Sequence, residues 1–143
     1  MSTIERSVVL NASAGEVHNL LASVERAKEI WGSESMTTEG DWPNVGSTAV
    51  ITNKMGPISA KINATALAYE HGKHFIQKME GTINGTMRID LAAEGDATRF
   101  TIVMDYEAPG GIFSDAIDKL VVSKQVTDTL EHTINALKKA TAS

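Results

Sequence analysis

The sequence predicts an α+β fold in which one strand and two short helices precede a run of antiparallel strands, and a single long helix closes the chain. Three observations carry that prediction. "TIERSVVL" has strand composition and runs into Ser13 and Glu16, a capping box in which each side chain satisfies a backbone donor left over at a helix start. From Glu34 to Ala108 the apolar period is two, broken at "WPNVG", "MGP", "EHGK", "EGTING" and "EGDA". From Ile112 to Ala140 the pattern turns helical without interruption.

Taken in order, the first helix is expected to bury Ala14, Val17, Leu20 and Leu21, with His18 on its outer side. The second is expected to hold Val24, Ala27, Ile30 and Trp31 and to stop at Gly32. The alternating segment suits about six strands, which with the opening one makes a sheet of about seven, antiparallel because tight turns join its members.

Composition bounds the function. A chain of 143 residues, 42% hydrophobic and 22% charged, fits one domain spanning residues 1–143 with a real core. A net charge of -5 argues against nucleic acid and anionic membranes, whose affinity comes from Lys and Arg contacts to phosphates. The absence of cysteine removes disulfides, thiolate metal sites and thiol nucleophiles. No signal peptide is evident, and no run of about 18 apolar residues could span a bilayer. A soluble cytoplasmic protein is therefore expected, and the Asn-x-Ser/Thr triplets at Asn11, Asn63 and Asn84 are taken as chance matches.

The strands can be read face by face. Met87, Ile89 and Leu91 share a side opposite Arg88 and Asp90; Phe100, Ile102, Met104 and Tyr106 oppose Arg99, Thr101, Asp105 and Glu107, and the charged sides must be the wet ones. Phe75, Gln77 and Met79 point inward by the same argument. In "ISAKINATALAYE" the inward set is Ala60, Ile62, Ala64, Ala66 and Ala68, although Leu67 and Tyr69 compete for that side. Small alanines beside flexible methionines either let a helix pack close in an ordinary core or leave room for a ligand.

On a helical wheel Ile112, Ala116, Leu120, Ser123, Thr127, Leu130, Ile134 and Leu137 form one stripe, making the last helix a lid on the sheet's apolar face. Ser123 and Thr127 interrupt that stripe. Their hydroxyls either bond back to carbonyls four residues earlier or meet a polar group in a cavity, where Gln77 and Tyr106 stand opposite. Phe113, Ile117, Val121 and Val122 lie off the stripe, a surface suited to loops at a cavity mouth or to a second copy, so that a monomer or a homodimer is expected.

Several segments together carry a family resemblance: "VVLNASAGEVHNLLASVERAKEIW", "WPNVG", the "GT" and "DATRF" strand starts, and "YEAPGGIFSDAIDKL" leading into the last helix. In this order they resemble the START and birch-pollen-allergen (SRPBCC) superfamily, in particular its polyketide cyclase/dehydrase-like branch. "GPISAKINATA" is also similar to a segment of members related to the small accessory subunit of carbon monoxide dehydrogenase. Ala12 and His18 depart from the branch, which has proline and an aromatic residue there in many members. The resemblance implies a helix-grip fold, with a curved sheet wrapped around the C-terminal helix. It also implies an apolar cavity between the two, used for lipids, polyketides or quinone-like molecules. Fold analogy does not by itself imply a reaction.

The residues offer little chemistry of their own. His71 and His74 have ligand-like spacing but sit in a turn without a fixed third ligand, so no metal and no cofactor is expected. Asp90, Asp105 and Glu107 alternate with arginines as cross-strand pairs rather than as a general acid and base. Tyr106 is a weak catalytic candidate, because a phenol donates a hydrogen bond unaided but needs help to act as a base. The expected function is binding or carriage of a hydrophobic small molecule in a cavity walled by Ile62, Ala64, Ala66, Phe75, Gln77 and Met79. Met87, Ile89, Phe100, Ile102, Met104 and Tyr106 would continue that wall, and Leu120, Ser123, Thr127 and Leu130 would close it. The alternatives are a cyclase/dehydrase-like enzyme acting by positioning, and an accessory subunit of a larger enzyme.

Overall fold

The computed structural model describes residues 2–55, 58–107 and 115–142. Strand β1 (Ser2–Leu10) leads into helices α1 (Ala14–Ala22) and α2 (Ala27–Trp31). Six strands follow: β2 (Ser33–Glu39), β3 (Thr48–Met55), β4 (Ile58–Glu70), β5 (His74–Gly81), β6 (Asn84–Glu94) and β7 (Ala97–Glu107). Helix α3 (Asp115–Thr141) completes the order. The "PGG" segment, Ile112 and Phe113 lie outside the described residues. The seven strands form one curved antiparallel sheet in the order β1-β7-β6-β5-β4-β3-β2.

Local chemistry sets the helix boundaries. The Ser13 hydroxyl accepts from the Glu16 amide at 3.2 Å and so caps α1, but the Glu16 carboxylate accepts from that hydroxyl at 3.2 Å instead of from the Ser13 backbone N–H, so only half of the expected capping box forms. Gly32, in the left-handed region at φ 70°, ends α2. Val24 is not part of that helix, contrary to the expected span: it sits in the turn before it and is exposed. Trp31 is tied back to α1 through its indole N–H, 2.9 Å from the Leu21 carbonyl.

The alternation of β5, β6 and β7 buries the predicted faces, with Phe100 and Ile102 fully enclosed. Each such side chain contributes roughly 1.5–3 kcal/mol of burial. The contested strand β4 resolves by a bulge. Its register slips between Ala66 and Ala68 opposite β5, so Leu67 is an extra residue and the phase flips beyond it. Ala60, Ile62, Ala64 and Ala66 face the core before the bulge, Ala68 moves off that face, and Tyr69 packs against the core after it.

The glycines of "EGTING" are more than turn punctuation. A Cβ on Gly85 would run into the Asp105 carbonyl oxygen, and one on Gly81 would run into that of Lys61. Both backbones also lie at positive φ, 155° and 122°. Only glycine lets the β5–β6 hairpin sit this close to its neighbours.

The buried side of α3 is rotated from the predicted stripe. Val126, Leu130, Thr133, Ile134 and Leu137 are buried, whereas Ser123 and Thr127 are only half-buried. Both stripes share Leu130, Ile134 and Leu137, and Val126 in place of Thr127 makes the apolar side continuous. Val122, expected off the stripe, packs against the core. The side chains of Ala116, Ile117, Leu120 and Val121 lie outside the described residues.

Candidate functional site

A cavity of about 90 Å³ lies between the inner face of the sheet, the two short helices and the middle of α3. Strand β5 contributes Phe75, Gln77 and Met79, its neighbours β4 and β6 contribute Ile62, Met87 and Ile89, and β7 contributes Met104. Leu130 and Thr129 close it from α3. Helix α1, with α2 and the Trp42–Pro43 segment, supplies a wall that the sequence pattern does not assign, including His18, Leu21, Trp31 and Trp42. The Trp42–Pro43 peptide bond is cis.

The other candidates lie elsewhere. Ala64 and Ala66 are buried but off the wall, and Phe100 and Ile102 are sealed in solid core. Tyr106 is buried in β7 with no partner for its hydroxyl among the described residues, and it does not line the cavity. Ser123 and Thr127 also stand off the wall. Among the described residues, the hydroxyl-bearing residue that lines the cavity from α3 is Thr129, whose Oγ1 donates to the Gln125 carbonyl at 3.0 Å. His71 remains in the turn, hydrogen-bonded to Asn19 at 2.9 Å, whereas His74, expected there too, is the first residue of β5.

His18 reverses its expected position. It is 2% exposed and lies under the β4–β5 turn, where the Gly72 N–H donates to its Nδ1 at 2.8 Å. Its ring stacks on His71 with centroids 5.4 Å apart and meets the edge of Tyr69 at 4.8 Å. Burial, with His71 and then His74 nearby, pushes its pKa down to about 4, so the imidazole is neutral at pH 7. The sequence holds a signal for this: Ala14, Val17, His18 and Leu21 share one helical face. Burial, together with Asp41, raises the pKa of Tyr69.

The wall is apolar apart from a few groups. Gln77 is 5% exposed, and its side-chain amide has no hydrogen-bond partner among the described residues. Asn53 presents a buried Oδ1 that is likewise unpartnered. No Lys, Arg, Asp or Glu lines the cavity among the described residues, and His18 is its one ionisable group.

A curved sheet gripping a long helix over an internal cavity defines the helix-grip class of proteins. The chain belongs to the polyketide cyclase/dehydrase and lipid transport family, whose model matches residues 1–141. Solved structures agree on the fold. The Zhui aromatase/cyclase from Streptomyces sp. R1128 superposes with a TM-score of 0.84 at 10% identity, covering 98% of this chain and 93% of that one. A protein from Thermus thermophilus gives 0.83 at 17% identity, covering 99% and 100%. A START superfamily protein from Mycobacterium smegmatis gives 0.77 at 13% identity, covering 97% and 96%. No curated protein matches the sequence significantly.

Proposed function

We propose that this domain binds a small hydrophobic molecule in the cavity between sheet, short helices and α3. The observation that carries this reading is a largely apolar wall that bears the Gln77 amide, without a partner among the described residues, and the buried, unpartnered Oδ1 of Asn53. Leaving such a group unpaired costs about 1–3 kcal/mol, which a ligand's polar atom would offset. Membership of a family described by lipid transport and by cyclase/dehydrase chemistry supports the same reading.

The cavity is smaller than the ~150 Å³ that accepts a benzene ring in a rigid core. A ligand must therefore displace side chains, and Met36, Met79, Met87 and Met104 on the wall move at little cost because an unbranched thioether has many rotamers. Carriage fits better than turnover. Tyr106, the proton donor expected of a positioning enzyme, stands away from the wall. Denaturing mass spectrometry of extracts from the purified protein should reveal a bound apolar compound. An empty extract, together with no thermal shift across a panel of lipids and aromatic ketones, would overturn the reading.

A further inference from the structure

Resting on that binding site, we infer that His18 and Gln77 select the ligand by polarity: the cavity takes an uncharged molecule bearing an acceptor oxygen and rejects a carboxylate. The argument starts from a backbone amide. An N–H can only donate, so Gly72 requires a lone pair on His18 Nδ1 and thereby places the ring proton on Nε2. On an imidazole the Nε2–H points roughly opposite to the Nδ1 lone pair, hence away from the turn. His18 lines the cavity, and no acceptor for that N–H is found among the described residues. Gln77 supplies a second donor on the same wall through its unpartnered amide.

Among the described residues an anionic ligand meets neither lysine nor arginine there. Protonating His18 to pair with it would put an Nδ1–H against the Gly72 N–H, 2.8 Å away, and would break the bond holding the ring. A carboxylate must then be buried unpaired, which is far costlier than burying a ketone. The turn between β4 and β5 thus fixes the charge state of a residue on another element.

The test uses three one-ring probes of similar shape, acetophenone, ethylbenzene and benzoate, at pH 7. Binding is followed by the NMR signals of the Trp31 and Trp42 indole N–H groups, both of which belong to cavity-lining residues. Acetophenone should bind at least tenfold more tightly than benzoate. The acetophenone-to-ethylbenzene affinity ratio should fall about tenfold in Gln77→Met and in His18→Phe, the loss expected for one hydrogen bond. Nitrogen chemical shifts of the wild-type imidazole, which need no variant to fold, should show the Nε2–H tautomer. Equal binding of benzoate, an unchanged ratio in Gln77→Met, or an Nδ1–H tautomer would overturn the inference while leaving the cavity a binding site. If none of the probes moves either indole, the binding reading itself fails.

Discussion

Strands β5 and β7 each present alternating large side chains to the same inner face, yet one borders a cavity and the other is mostly sealed. On β7, Phe100 and Ile102 are both 0% exposed and belong to solid core. On β5, Phe75, Gln77 and Met79 all border the void. The difference lies in what each strand faces. Alternation in a sequence tells which side of a strand is dry; whether that side meets a close-packed partner depends on elements far away in the chain.

The largest effect should come from the sealed region. Phe100→Ala should cost about 3–5 kcal/mol by urea denaturation, the usual range for opening a hole in a packed core. A loss below about 1 kcal/mol would mean that β7 borders free space as β5 does. Next comes the hairpin that joins β5 to β6. Gly85→Ala should destabilise by at least about 2 kcal/mol, because it adds a clash with the Asp105 carbonyl to an unfavourable φ. Wild-type stability in that variant would show the strands free to separate.

The third effect belongs to the cavity. His18 is neutral in the folded protein with its pKa lowered to about 4, so only the unfolded chain takes up its proton between about pH 6.5 and 4. Stability should therefore fall as pH drops through that window, by up to about 3 kcal/mol, and the loss should level off below it. His71 on its stacked face and His74 nearby oppose the charge further, while Tyr69 at its edge is uncharged at these pH values. Denaturation of wild type and His18→Phe at pH 7 and pH 4.5 isolates the contribution, since carboxylates common to both cancel. Equal slopes would place His18 in water. The smallest effect is the most telling for β5: Gln77→Met should change stability by less than about 1 kcal/mol, because its amide has no partner to lose among the described residues. A marked loss would mean that Gln77 serves the core rather than a ligand.

Much of this fold is legible because sheets have a simple period. The inner faces of β5, β6 and β7 follow from alternation alone, and Ser13, Glu16 and Gly32 mark helix ends through local hydrogen bonding. The candidate site is legible only in part. Strand phase finds Phe75, Gln77, Met79, Met87 and Met104, whereas the predicted helical stripe, about one residue out of register with the buried one, puts Ser123 and Thr127 on a wall they do not reach. A helix with an apolar residue at nearly every turn allows two neighbouring stripes, and only the sheet opposite chooses between them. His18 escapes prediction for a different reason. Its polarity argues for solvent, and the amide that makes its burial tolerable comes from Gly72, 54 residues away.

The extra residue at Leu67 gives β4 an odd count between its two ends. Up to Ala66 the strand keeps step with β5, and beyond Leu67 it runs half a period out of step. Tyr69 falls inward only because of that offset, and the turn carrying His71 and Gly72 follows directly from it. The parity of one strand thus decides which backbone amide arrives above α1. The protonation state of a residue on the cavity wall is, in this sense, fixed by counting.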